Sequence, residues 1–302
     1  MASKTPLETY REQGFVVIED LIEPETISAL SAELTRICRG ELGIPSIEPA
    51  KPWESDAEVL GRFLCIHQPH KASQALRETI RHPALIGVLQ QLIGPDVKCM
   101  QSQYFVKPPD YPGNAWHQDE IAIPTRDRSL CAAFIAIDDA TVENGCLRVL
   151  PGSHLSGYLY PQEEHAQLDE YDFPTVSRGF DDSGQVPVEL RSGSVVFFHG
   201  YLLHGSRSNR SRSFRRALTY HYMNAFSLLP WRLLVQEGEV AARDGEHDFR
   251  DVVLACGRDP YAWKGYEEKS TVHLRPCKKM NDIRAVPSAR RDREEAPRRG
   301  TL

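Results

Sequence analysis

No apolar run in this 302-residue chain approaches the length of a membrane helix, which needs roughly 20 such residues in a row. No membrane partner is therefore expected. No Cys-x-x-Cys pair occurs, and the seven cysteines (Cys38, Cys65, Cys99, Cys131, Cys146, Cys256 and Cys277) are odd in number and scattered. That pattern excludes a zinc ribbon or a disulfide framework and fits free thiols in a reducing compartment. Glycine-rich phosphate loops of the G-x-G-x-x-G or P-loop kind are missing, which removes dinucleotide and nucleoside-triphosphate chemistry. Positive charge is not in excess either: a formal net charge of -6 leaves no electrostatic footprint for nucleic acid. The opening MASKTPLETYREQGF lacks the charged-then-apolar layout of a secretion signal, so the cytoplasm is the expected location.

What is present is ordinary globular composition, 41% hydrophobic and 26% charged, with ample length for a buried core. The first third reads as helices around a short strand. Pro6–Gln13 is helical, Gly14 breaks it, and Phe15-Val16-Val17-Ile18 is a β-branched run. From Pro24 onward Ile27, Leu30, Leu34 and Ile37 fall on one helical face, and a second amphipathic helix covers 84–93. Then the grammar changes to strands. Val97–Lys107 alternates, with Cys99, Gln101, Gln103 and Phe105 on one face and Met100, Ser102, Tyr104 and Val106 on the other. Further strands are expected at 131–137, 146–150, 188–190, 194–199 and 217–223, punctuated by Asn144-Gly145, Pro151-Gly152 and Ser192-Gly193. The expectation is a mainly β fold with flanking α-helices, a sandwich or jelly roll. One domain would span 1–280, with helical decoration over about 1–95, a β core over about 96–230 and an extension over about 231–280. The arginine-rich residues 281–302 read as a disordered basic tail.

The chemistry gathers around Ala115-Trp116-His117-Gln118-Asp119-Glu120. Two residues apart on an extended strand is same-face spacing, so His117 and Asp119 can reach one point. A shared metal ion would need a third ligand, and the buried run Val195-Val196-Phe197-Phe198 leads to two candidates, His199 and His204. Two imidazoles and a carboxylate on one face of an octahedral ion make the facial triad of non-haem Fe(II) oxygenases. No fourth ligand presents itself for a closed zinc site. Downstream, Arg215 or Arg216 stands at the start of a strand. A planar guanidinium suits the distal carboxylate of an oxo-diacid that chelates the ion by its other end.

The ordered strings EQGFVVIEDLIEPETISAL, YFVKPP, WHQDE, DDATVENGCLRVLPGSH, SVVFFHGYLLHGS and FRRALTYHY resemble the phytanoyl-CoA dioxygenase family of Fe(II)/2-oxoglutarate oxygenases. They cover most of 14–224; nothing comparable lies beyond about Trp231. The resemblance implies a double-stranded β-helix, a cupin-like jelly roll, with Fe(II) on His117, Asp119 and His204. It implies that 2-oxoglutarate is bound by Arg215 with help from the Ser206 hydroxyl, that O2 is the second cosubstrate, and that Arg216 falls on the opposite face. The aspartate at 119, where halogenating relatives carry a small residue, favours hydroxylation or another oxidation. Gln101, and Phe134 in CAAFIAI, are expected at the 2-oxoglutarate pocket as well.

Tyr104, Gln118, Gln103 and His67 are expected around a small-molecule substrate. His67 and His70 would lie in a loop folded over the cavity, and His154 at a strand end near its rim, whereas His199 and His221 are read as structural. Two rival readings keep the scaffold: a cupin-like iron dioxygenase that does not use 2-oxoglutarate, and an inactive binding jelly roll. The extension would form a substrate lid or pack outside the barrel. Neither the substrate nor the oligomeric state is encoded in a pattern the sequence reveals.

Overall fold

Thr5 and Glu8 cap one another, Pro6 fills the first helical position, and Gly14 at φ 82° ends the last turn, so helix α1 spans Pro6–Gln13. A computed structural model describes residues 4–167, 170–172, 174–229, 252–264 and 271–277. The expected tail at 281–302 and most of the extension lie outside these residues. After β1 (Phe15–Ile18), α2 (Pro24–Cys38) buries Ile27, Leu30, Leu34 and Ile37, the face its periodicity marks. Then follow α3 (Asp56–Leu60), β2 (Phe63–His67), α4 (Gln74–Thr79) and α5 (Pro83–Ile93).

The remaining strands are β3 (Val97–Lys107), β4 (Asn114–His117), β5 (Cys131–Ala136), β6 (Leu147–Val149), β7 (Gln162–Glu164), β8 (Thr175–Ser177), β9 (Val186–Val188), β10 (Val195–His199), β11 (His204–Ser206), β12 (Arg215–Asn224), β13 (Val253–Cys256) and β14 (His273–Pro276). They build a large antiparallel sheet in the order β1-β10-β5-β12-β3-β2-β14, with β13 also paired to β3. A smaller sheet runs β4-β11-β6-β9, and β7 pairs β8. The two sheets face one another as a jelly roll of the double-stranded β-helix type.

Side-chain alternation divides the large sheet into a helix-facing side and a cavity-facing side. Along β5, Cys131, Ala133 and Ile135 pack with Leu30, Leu34 and Leu85 of the helices. Ala132, Phe134 and Ala136 instead meet Val149, Val188 and Leu190 of the small sheet and its rim. Strand β12 follows the same rule: Leu218, Tyr220 and Tyr222 go to the helices, while Arg215, Thr219 and His221 line the cavity. This rule overturns one expectation. Tyr104 carries the parity of Val106 and lies fully buried on the helix side, so its phenol does not reach the cavity.

Strand β3 departs from simple alternation at one point. Opposite β12, His221 faces Gln101 but the next residue, Tyr222, faces Cys99, leaving Met100 as the extra residue of a bulge. A bulge reverses the facing of everything beyond it. Cys99 therefore joins the helix-side core, whereas Gln101, Gln103 and Phe105 line the cavity.

A strand also stands where a loop was expected, because FLCIH pairs with β3 through Cys65–Phe105, Ile66–Tyr104 and His67–Gln103. A short continuous apolar run does not announce its partner by periodicity alone. The described parts of the extension add β13 to β3 and β14 to β2. Part of it thus borders the cavity, since His273 and Arg275 are among the lining residues. Among the described residues no helix is long and apolar enough to cross a membrane.

Candidate active site

His117 ends β4 and His204 begins β11, and the two residues sit directly opposite one another across the antiparallel pair. Their rings lie 4.1 Å apart, centroid to centroid. Each ring is oriented from behind: His117 Nδ1 is 2.8 Å from the Ala115 carbonyl oxygen and His204 Nδ1 is 3.0 Å from that of Leu202. A backbone carbonyl accepts only, so each Nδ1 carries a proton, and Nε2 is the nitrogen each ring turns toward a shared ion.

Asp119 does not share the strand, contrary to the same-face argument. The strand stops at His117 and Asp119 opens a 3-10 turn, Asp119–Ile121. Its Oδ1 lies 3.8 Å from His117 Nε2 and 3.6 Å from His204 Nε2. One ligand atom from each of the three residues falls within 4.8 Å of the other two.

Gln118 holds that turn. Its Nε2 donates to the Tyr158 and Tyr201 carbonyls at 2.9 and 2.8 Å, and its Oε1 accepts from the Tyr160 N–H at 2.8 Å. The residue forms part of the cavity wall, but its amide is spent on backbone rather than offered to a ligand. That corrects the expectation of a substrate-contacting side chain. His221, read as structural, sits on the site: its Nε2 is 3.3 Å from Asp119 Oδ2. Burial opposes the ionised carboxylate of Asp119, yet the imidazoles of His204, His221 and His117 outweigh it and hold the group well below the usual range. Burial and the neighbouring His204 push His117 down to about 4, so its ring is neutral at physiological pH. A neutral imidazole at His117 and an ionised carboxylate at Asp119 are donor forms that suit a divalent ion.

Gly113 lies just before β4. A β-carbon added there would overlap the Ser206 carbonyl oxygen, so the close approach of these two chains depends on glycine. Gly113→Ala is expected to push β4 away from β11 and displace His117 from His204. A misplacement of about 1 Å costs on the order of 100-fold in rate. Metal titration of the variant alongside the wild type checks this, and unaltered metal affinity would contradict it.

The second part of the site lies at the start of β12. Arg215 is 5% exposed, lines the cavity, and finds no acceptor for its Nε among the described residues. Its guanidinium carbon stands 5.6 Å over the Phe134 ring. Burial lowers its pKa to about 10, which leaves it charged at neutral pH. Arg216 points the other way and closes on Asp138 with a bidentate pair at 2.8 and 2.7 Å. Ser206 and Gln101 line the same cavity, as do Lys107 and Thr219, whose buried Oγ1 finds no partner among the described residues.

The third side is made by β3, β2 and β14. The registers Thr219–Gln103, Gln103–His67 and His67–His273 bring one row of side chains across neighbouring strands. Gln103 Nε2 lies 3.1 Å from His67 Nδ1, and His67 stacks on His273 at 4.3 Å. Arg275 donates to Asp172 at 2.7 Å. His70 turns away, its Nδ1 2.6 Å from Ser102 Oγ. The cavity measures about 570 Å³, room for a cosubstrate and a small organic molecule.

Lys107, Thr219, His221, Asp172, His273 and Arg275 had no place in the site as read from sequence. Two of them carried a signal, because Thr219 and His221 share the strand parity of Arg215. His199 lies outside the cavity against Tyr10 and Tyr201, and His154, expected at the rim, instead packs on His199 and meets the Arg11 carbonyl.

Buried neutral imidazoles leave a mark on stability. Burial lowers His67 to about 3 and His199 to about 4, against roughly 6.5 for an unfolded histidine. The unfolded chain therefore binds more protons below pH 6.5, and stability falls as pH drops from there toward 4 and then 3. Metal-free protein is expected to lose more of its urea midpoint between pH 7 and 5 than His199→Gln, which has no such proton to gain. Equal losses would contradict the assignment.

The chain is similar to known proteins over most of its length. Residues 10–217 match the family described as phytanoyl-CoA dioxygenase (PhyH). The peroxisomal phytanoyl-CoA dioxygenase of Rattus norvegicus is 31% identical over 233 residues, covering 70% of this chain and 66% of that protein. The chain thus spans about two thirds of the length of the curated relatives it matches. Among solved structures, the non-heme alpha ketoglutarate dependent carbocyclase SnoK superposes with a TM-score of 0.60 at 28% identity, covering 78% of this chain and 89% of its own. The epimerase SnoN, in complex with Fe3+, alpha ketoglutarate and nogalamycin RO, gives 0.60 at 22% identity over 80% and 93% of the two chains, a likeness of fold. With two thirds of its residues inside the matched segment, the chain belongs to the phytanoyl-CoA dioxygenase (PhyH) family.

Proposed function

We propose that this chain is an Fe(II)- and 2-oxoglutarate-dependent dioxygenase that hydroxylates an unactivated C–H bond of a small organic substrate, releasing succinate and carbon dioxide. The observation that carries this reading is one cavity with two complementary ends. Two imidazole Nε2 atoms and a carboxylate oxygen converge at one end, and a buried arginine whose Nε has no acceptor among the described residues stands at the other. Three protein ligands leave positions open on an octahedral ion, as a catalytic site requires and a closed structural site does not.

Fe(II) bound by His117, Asp119 and His204 would activate dioxygen at the expense of 2-oxoglutarate and supply the oxidising power for the C–H bond. The chain's own groups position and insulate. The Ala115 and Leu202 carbonyls fix both ring tautomers, and His221 holds the second oxygen of Asp119. Arg215 and the Ser206 hydroxyl bind the distal carboxylate of 2-oxoglutarate, over Phe134 and beside Gln101. Ile121, Ile123 and Phe198 give the cavity an apolar wall that excludes water. His67, Gln103 and His273 face the substrate. The carboxylate at 119 keeps a third protein ligand in place, which favours oxygen insertion over halide transfer.

Two rivals share the scaffold. A cupin-like iron dioxygenase without 2-oxoglutarate leaves the Arg215 charge buried with no purpose. A binding jelly roll without turnover has no use for convergent Nε2 atoms. Oxygen uptake and succinate release, followed together with Fe(II), 2-oxoglutarate and a panel of small organic compounds, separate the three. The proposal predicts succinate formed in step with oxygen consumed. Oxygen uptake without succinate would favour the cupin-like enzyme, and neither product the binding protein. A cytoplasmic setting is supported by the seven free thiols, while the rat relative is named peroxisomal.

A further inference from the structure

Lys107 is the buried group that the site as described does not use. It ends β3 directly opposite Arg215, is 5% exposed and lines the cavity. Its Nζ is surrounded by oxygens: Ser206 Oγ at 2.8 Å, the Arg207 carbonyl at 2.7 Å and the Gly145 carbonyl at 3.3 Å. An ammonium has three protons and no lone pair, so all three donors are committed within the protein. Lys107 therefore has no proton left for a ligand.

The consequence falls on Ser206. Its Oγ accepts from Lys107 Nζ and also from the Asn114 N–H at 3.0 Å. A hydroxyl oxygen has two lone pairs and one proton. With Lys107 as the ammonium, both lone pairs are taken by donors and the hydroxyl is left only to donate. No acceptor for that proton is found among the described residues, and Ser206 is 2% exposed on the cavity wall.

We propose that Lys107 is a positioning residue that fixes the Ser206 hydroxyl as a donor toward the distal carboxylate of the oxo-diacid, beside Arg215. The inference rests on the 2-oxoglutarate reading above. Burial and the nearby Arg215 disfavour the ammonium form, whereas the three oxygens around Nζ and an arriving dianion favour it. The arrangement thus couples anion binding to the donor state of Ser206 without direct contact from the lysine.

The test compares two ligands on the Fe(II)-loaded protein without oxygen: 2-oxoglutarate, and 2-oxovalerate, which lacks the distal carboxylate. Dissociation constants are read from the visible band each oxo acid gives on binding iron. Lys107→Met is expected to weaken 2-oxoglutarate about tenfold, the scale of one hydrogen bond to a charged group, and to leave 2-oxovalerate unchanged. Lys107→Arg retains donors and cation and should recover most of that loss. Ser206→Ala should show the same selective loss with the lysine intact, and adding Lys107→Met to it should cost nothing further.

Equal weakening of both oxo acids would overturn the proposal, because it would mark Lys107 as merely structural. Losses that multiply in the double variant would overturn it too, because the lysine would then act on the ligand directly. Should Lys107→Met fail to fold, Ser206→Ala alone still decides, since an unchanged selectivity there removes the relay. A wild-type protein that gives no band with either acid would instead sink the 2-oxoglutarate reading on which the proposal stands.

Discussion

Asp119→Ala is expected to abolish turnover of 2-oxoglutarate, to below roughly one hundredth of wild type. Partners that only orient a ligand are worth about 10- to 100-fold, and a ligand itself should exceed them. The carboxylate supplies the only negative charge among the three clustered groups. Without it only the two histidines remain, which bind Fe(II) weakly and leave its charge uncompensated. His221→Ala provides the internal scale. It removes the contact to Asp119 Oδ2 but no ligand, so its loss should fall within the 10- to 100-fold range. Steady-state rates with metal content measured in parallel distinguish the cases, and a fully active Asp119→Ala protein would remove the triad assignment.

The second large effect is that of Arg215→Ala, expected to weaken 2-oxoglutarate by about 1.5–3 kcal/mol, the range for a hydrogen bond to a charged group. The loss should appear in KM for 2-oxoglutarate more than in kcat, because the contact is made equally before and during the reaction. Arg216→Ala should behave in the opposite way. It strips the partly buried Asp138 of a bidentate partner and should lower stability by about 1–3 kcal/mol with little effect on KM. If the two variants exchange phenotypes, the register of β12 is wrong by one residue.

Much of this site is legible in the sequence, and what is not has specific physical causes. The ligand trio can be named because His117 and Asp119 sit close in the chain, the buried run 195–198 leads to His199 and His204, and the family resemblance selects His204. The reason they converge is different from the one the spacing suggests: the chain leaves the strand after His117 and turns, and the Gln118 amide holds it there. The resemblance assigns Arg215 to the cosubstrate and strand parity then puts Arg216 on the opposite face, where it meets Asp138; the same parity carries Thr219 and His221, which could have been drawn from it. It also places Tyr104 on the opposite face from Gln101, so the two side chains cannot share one cavity.

Other features are tertiary and leave no local trace. The bulge at Met100 follows from pairing with β12. The β2 strand forms because β3 offers an edge. His273 and Arg275 reach the cavity only because β14 adds to β2, more than 200 positions away in sequence. Lys107 lies within YFVKPP, yet nothing local tells a strand-end lysine in solvent from one enclosed by three oxygens.

The most direct test of the central claim is anaerobic. Fe(II) and then 2-oxoglutarate are added to the metal-free protein, and the visible spectrum is followed for a metal-to-ligand charge-transfer band. The account predicts a saturable band in the wild type that disappears in His204→Ala. Iron binding without the band, or a band that persists in the variant, would contradict it.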